Sequence, residues 1–269
     1  MTALVASLGM YDFPWIAAAN DALWAGIARR LRAAGVAAPA ALSRAADLHD
    51  LWRDPALIFG QTCGYPYVTA LRGSAALIAT PIYDFPGCEG AAHASFVIAG
   101  KRGARRALAD FAGARAAINA RDSNTGMNLL RATIAPLARG RPFFGRVDIT
   151  GSHQASLAAV ADGEADIAAI DAVSFALLRR GRRELTDAVA VIAPTPRAPA
   201  LPFIMSADLA EAHLGAVRAA LFAALDDPAL AGARARLGLV GAEILGDREY
   251  QRVADIERDA VAAGYPTLA

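Results

Sequence analysis

The stretch Ala114-Arg115-Ala116-Ala117-Ile118-Asn119-Ala120-Arg121-Asp122-Ser123-Asn124-Thr125-Gly126-Met127-Asn128 decides how this chain folds. Its first part is a short apolar run, read as a strand over Ala114 to Asn119, and its end opens a segment of helical period over Gly126 to Ala138. Strand, polar turn and helix in succession form the repeating unit of an α/β protein. The turn itself places Ser123, Asn124 and Thr125 at a helix start. There the first backbone N–H groups have no helical partner and the helix dipole favours negative charge, so the turn is a candidate oxyanion site. An N-cap needs one such residue; three in succession with Gly126 next exceed that need.

The same pattern repeats outward. Thr150-Gly151-Ser152-His153-Gln154-Ala155-Ser156 joins a strand over Gly145 to Thr150 to a helix over Gln154 to Asp162. Ser152 and the His153 ring are candidate donors there. A strand over Ile167 to Ile170 ends at Asp171, which can accept from a ligand amine or cap the helix over Ala172 to Arg180. Asp166, at the start of that strand, belongs to the far end and reads as structural. Nearer the beginning, Met10 to Trp15 follows a strand over Leu4 to Leu8, and Gly60 to Tyr67 follows one over Ala56 to Phe59. These turns offer Tyr11, Trp15, Gln61, Thr62 and Tyr65 as aromatic and polar contacts. In open parallel sheets ligands bind beyond the carboxyl ends of the strands, where all these turns fall.

Further strands are expected over Ala75 to Thr80, Ser95 to Ala99 and Ala188 to Ala193, and further helices over Asn20 to Ala34, Ala46 to Trp52 and Arg105 to Phe111. Pro194, Pro196, Pro199 and Pro202 mark an extended segment, followed by helices over Ala207 to Leu225, Pro228 to Leu237 and Asp247 to Ala263. Asp84 to Gly90 and Pro194 to Pro196 read as domain crossings. The expected architecture is α/β with two lobes, each a mostly parallel sheet flanked by helices, joined by two hinge crossovers. Lobe I comprises residues 1–91 and 194–269, lobe II residues 92–193, with a ligand cleft between them; two contiguous domains are the alternative.

Composition narrows the function. Basic and acidic side chains number 27 and 26, a net charge of +1, which gives no global field to hold nucleic acid. Mean hydropathy is +0.32, yet charge, proline or glycine breaks every run of the roughly 18 apolar residues needed to span a membrane, so no insertion is expected. Catalytic templates are missing: no Gly-rich dinucleotide fingerprint, phosphate loop, Gly-x-Ser-x-Gly elbow or His-Glu-x-x-His occurs. His49, His93, His153 and His213 share no metal-ligand spacing, so neither metal nor cofactor is expected. Cys63 and Cys88 are too few for a disulfide-built fold and read as two half-buried thiols.

Asp122-Ser123-Asn124-Thr125-Gly126, Thr150-Gly151-Ser152-His153 and Gly163-Glu164-Ala165-Asp166-Ile167-Ala168-Ala169-Ile170-Asp171 follow one another in an order and spacing that resembles the substrate-binding components of phosphonate and phosphate-type ABC importers, which are type II periplasmic binding proteins. The resemblance covers nearly the whole chain. It implies a non-enzymatic receptor that closes on a small oxyanion, with an ABC permease as partner. Ser123 and Thr125 match the family's helix-start hydroxyls, Asn124 stands where a hydroxyl is frequent, His153 and Asp171 match its histidine and strand-end carboxylate, and Tyr11 and Tyr65 its first-lobe aromatics. The alternatives are a synthase or lyase on the same fold, with His153 and Asp171 as acid and base, and a ligand-sensing regulatory module. Met1 to Leu8 show no basic segment or small-residue cleavage site, so the location is expected to be periplasmic if a leader has been removed and cytoplasmic otherwise. Cys63 and Cys88 are placed in turns of one lobe, where export would let them pair.

Overall fold

A computed structural model describes residues 3–44, 47–101 and 107–269. The ends of three expected features, at Met1 and Thr2, Ala46, and Arg105 and Arg106, lie outside the described residues. The chain divides into two compact units, Met1–Asp84 with Pro199–Tyr250, and Phe85–Ala198 with Gln251–Ala269.

In the first unit a five-stranded sheet runs in the order Val5–Ala6, Leu57–Gln61, Phe203–Ser206, Ala75–Tyr83, Leu239–Glu243. The helices Ala17–Ala33 and Ala207–Leu225 pack on each other, and Leu23, Ile27, Leu31, Val217 and Leu221 are buried with Phe59, Ile78 and Phe203 of the strands. The first strand pair is parallel and the other three are antiparallel. Phe203–Ser206 and Leu239–Glu243 were not expected as strands. The first emerges from the proline-rich segment, and the second follows Gly238, whose φ of 66° ends the helix Ala231–Leu237. With three of its four pairings antiparallel, this sheet is mixed and not mostly parallel.

The second unit holds a five-stranded sheet in the order Val189–Pro194, Ser95–Gly100, Ile167–Asp171, Arg115–Ile118, Arg146–Ile149. Its two pairings through Arg115–Ile118 are parallel. Those through Ser95–Gly100 are antiparallel, with Ser95 opposite Asp171 and Ala99 opposite Ile167. This sheet too is mixed. The α/β class stands, with helices Leu129–Ala138, His153–Ala161 and Ala172–Gly181 following their strands. Arg105 to Phe111 was expected as a helix; its described part is a single 3-10 turn, Leu108–Phe111.

The division departs from the expected lobes in two ways. Cys88 falls in the second unit and Cys63 in the first, so the two do not share a unit, and both are thiols. The tail 251–269, expected in lobe I, belongs with the second unit, not with residues 199–250. The chain therefore passes between units at 84/85, 198/199 and 250/251, three times where two were expected. Hydrogen bonds explain the tail's allegiance. Asn128 Nδ2 donates to the Val253 carbonyl at 3.1 Å, Arg131 donates to the Pro266 carbonyl at 2.8 Å and to Asn128 Oδ1 at 2.7 Å, and the Phe143 and Phe144 N–H groups both donate to the Ala269 oxygen. Arg131 is 4% exposed and also pairs with Glu257 at 3.2 Å. Its removal leaves buried acceptors without donors, so Arg131→Ala should lower unfolding free energy by about 2–3 kcal/mol in urea titrations. A loss within error would mean that the tail is held by apolar packing alone.

Candidate functional site

Four strand ends and one strand start meet at one edge of the second unit's sheet, the strand Val189–Pro194 finishing there with Pro194 opposite Phe96. Because Ser95–Gly100 runs antiparallel to Ile167–Asp171, its start lies at the end where Arg115–Ile118, Arg146–Ile149 and Ile167–Asp171 finish. The turn after Ile118 opens into a π-helical turn, Asn124–Asn128, continued by the helix Leu129–Ala138. Ser123 caps it: its Oγ accepts the Gly126 N–H at 2.9 Å through a lone pair, leaving the hydroxyl proton for another acceptor. The Ser95 hydroxyl donates to the Thr125 carbonyl at 2.8 Å, and Thr125 Oγ1 lies 2.9 Å from His153 Nε2. Asn124 turns inward, its Oδ1 accepting from Asn128 Nδ2.

Gly126 is there for space. A Cβ would stand 1.8 Å from Asn119 Oδ1 and 3.2 Å from His153 Cε1. Asn119 Oδ1 is itself buried and makes no hydrogen bond to a described residue. Gly126→Ala should therefore cost about 2 kcal/mol of stability by chemical denaturation, and Asn119→Ala in the same chain should restore part of it. Equal losses in the single and double variants would show that Asn119 is not the obstacle.

His153 is the first residue of the helix His153–Ala161, behind the Ser152 cap, whose Oγ accepts the Ala155 N–H at 3.0 Å. Ser152 is exposed and His153 half-buried, with the ring itself enclosed. Burial pushes the imidazole below the usual histidine range; Asp171 and the Ala169 carbonyl oppose this, and His93 adds to it. The ring is thus neutral near pH 7, and the hydrogen bond to Thr125 joins two uncharged groups. The unfolded chain takes up a proton at about pH 6.5 where the folded one resists it, so stability falls as pH drops from about 6.5 toward the lowered native value. His153→Gln should flatten that part of the stability profile; an unchanged slope would place the linkage on another group.

Asp171 caps the helix Ala172–Gly181, accepting the Ser174 N–H on Oδ1 at 2.7 Å, while Oδ2 lies 3.5 Å from Nδ1 of His93. Both residues are buried, at 1% and 0% exposure. Asp166, at the opposite end of the strand, binds the Arg115 guanidinium on the surface. A hollow of about 510 Å³ lies at that opposite end, lined by Lys101, Phe111, Asp162 and Asp166, and holds none of the strand-end groups.

The expected residues of the first unit lie in its own turns and at its own strand ends. Tyr11 is buried edge-on against Tyr83 at 5.7 Å. Gln61 Nε2 donates to the Tyr83 hydroxyl and the Leu201 carbonyl, and Thr62 Oγ1 donates to the Cys63 carbonyl. Trp15, stacked on Phe13 at 5.0 Å, and Tyr65 are half-buried and keep exposed surface. Thus Ser123, Thr125, Gly126, His153 and Asp171 share one cluster with Asn119, Ser95 and His93, which the sequence reading did not single out. Only the antiparallel direction of Ser95–Gly100 brings the last two to this end.

Each unit is a mixed sheet with helices, and in the second a helix start and uncharged donors gather at the strand ends. Residues 41–250 match the family model described as ABC transporter, phosphonate, periplasmic substrate-binding protein, and the chain belongs to that family. The family consists of transporter binding components, not enzymes. No curated protein matches the chain in sequence. Among solved structures, the binding protein component of an ABC phosphonate transporter from Pseudomonas aeruginosa is similar at 16% identity and a TM-score of 0.75, over 97% of this chain and 88% of that one. PhnD1 from Prochlorococcus marinus (MIT 9301), in complex with methylphosphonate, is similar at 13% and 0.72, over 96% and 98%. The periplasmic aliphatic sulphonate binding protein SsuA from Escherichia coli is similar at 14% and 0.60, over 92% and 87%. At these identities the likeness is one of fold. Among the described residues no helix is long and apolar enough to cross a membrane, and no group of three or more acidic, histidine or cysteine side chains is arranged to hold a metal ion.

Proposed function

We propose that this solute-binding protein captures a small tetrahedral oxyanion of the phosphonate or phosphate-ester class at the Ser123–Gly126 turn, and delivers it to an ABC permease from the periplasm. The observation that carries the reading is the contact of Thr125 Oγ1 with a neutral His153 Nε2 beside the Ser123 cap, at the start of a helix. Hydroxyl protons and helix-start N–H groups hold an anion without a countercharge, which suits a chain of net charge +1. Ser123, Asn124, Thr125, Gly126, Ser152 and His153 are the proposed anion set, with Asp171 behind it. Tyr11, Trp15, Gln61, Thr62 and Tyr65 are proposed to complete the ligand set from the first unit.

Calorimetric titration with methylphosphonate, a phosphate monoester, methanesulfonate and an amino-acid zwitterion tests this. Methylphosphonate or the ester should bind, and Ser123→Ala with Thr125→Ala should raise the dissociation constant at least about a hundredfold, as expected for losing two hydrogen bonds to a charged group. No heat with any compound, or unchanged binding in the double variant, would remove the turn from the site.

A further inference from the structure

His93 takes no part in the reading above. It ends the short strand Ala92–His93, two residues before Ser95, whose hydroxyl holds the Thr125 carbonyl. Its side chain is wholly buried, and neither ring nitrogen makes an aligned hydrogen bond to a described residue. Such groups are rare, because burying a polar atom without a partner costs free energy. The titratable groups around it are Asp171 from the strand Ile167–Asp171, His153 from the next helix start, and Cys88, its register partner in the hairpin. Asp171 Oδ2 faces Nδ1 at 3.5 Å. A carboxylate only accepts, so Nδ1 carries the hydrogen of the neutral ring and the lone pair sits on Nε2, on the side away from Asp171.

We propose that His93 is a specificity-determining residue of the anion site: its ring, oriented by Asp171 at Nδ1, shares one proton through Nε2 with the bound oxyanion. The inference rests on the anion reading of the Ser123–Gly126 turn. The proton balance is simple. A ligand arriving as the hydrogen-phosphonate monoanion brings the proton on its own oxygen; one arriving as the dianion takes it from water, and only an O–H or N–H bond forms. A phosphate monoester, whose second pKa is about 6, meets both conditions near neutral pH. A sulfonate has no proton to share and oxygens too weakly basic to hold one, so seating it requires charging His93 from solvent. The site therefore selects phosphonates and phosphate monoesters over sulfonates of the same shape.

The test counts protons, by calorimetry of the full chain in buffers of differing ionisation enthalpy. Methylphosphonate should bind with uptake of about one proton near pH 8.5, where it arrives as the dianion, and methanesulfonate at neutral pH at least about tenfold more weakly. His93→Gln should still bind methylphosphonate, about tenfold more weakly, while ending the proton uptake and most of the preference over sulfonate. His153→Gln should weaken both ligands and leave the uptake in place. Binding by the unaltered chain without proton uptake would overturn the inference and leave the anion site standing, as would uptake that persists in His93→Gln or disappears in His153→Gln. Failure of the unaltered chain to bind any oxyanion overturns the anion reading and this inference together. Long-range proton–nitrogen NMR of the unaltered chain gives a readout independent of how the variant folds: methylphosphonate should move His93 Nε2 toward its protonated shift, and an unmoved resonance would count against the proposal.

Discussion

The antiparallel pairing of Ser95–Gly100 with Ile167–Asp171 is the constraint on which the site depends. It inserts one strand of opposite direction into a sheet whose neighbouring pairs, through Arg115–Ile118, are parallel. The strand's start then stands beside the finishing ends of the others. Ser95, directly opposite Asp171, reaches the Thr125 carbonyl, and His93 just before it reaches the Asp171 carboxylate. Reversing that strand would move both residues to the Arg115 and Asp166 end and leave the helix-start turn without its support.

The proposed anion set is built from uncharged donors, with the Asp171 carboxylate behind them. The ion pairs Arg115–Asp166, Arg146–Asp148 and Arg183–Asp187 lie on the surface, where such pairs contribute little. The strand-end cluster has no arginine or lysine among the residues described for it. Its polar atoms are hydroxyls, backbone amides, a neutral imidazole and one carboxylate already committed to a cap and to His93. Low polarisability and burial make each hydrogen bond here stronger than in water, and make an unmatched donor or acceptor correspondingly costly.

The tail is tied to the second unit by a different kind of contact. Arg131 and Asn128 sit on the helix whose start is the candidate site, and both are bonded to the segment after Val253. The position of that helix, and hence of the turn at its start, therefore depends on residues more than a hundred positions away in the chain.

Much of this was legible in the chain itself. Strand, turn and helix at Arg115 to Ala138, at Arg146 to Ala161 and at Ile167 to Gly181 show in hydrophobic period and cap residues, because those are local forces acting over a few bonds. Ser123, Thr125, His153 and Asp171 were legible for the same reason, as polar residues at predicted helix starts. Strand direction was not, since a run such as Ser95–Gly100 has the same alternation whichever way it pairs; with it, the roles of His93 and Ser95 were hidden. Nor were the strands Phe203–Ser206 and Leu239–Glu243, too short and too rich in glycine or flanking proline to carry a period. Local sequence determined which segments are helix or strand and which residues stand at their ends. Tertiary structure alone decided which ends meet, because pairing direction, the burial of Asn119 and His93, and the attachment of residues 251–269 are set by contacts between segments far apart in the chain.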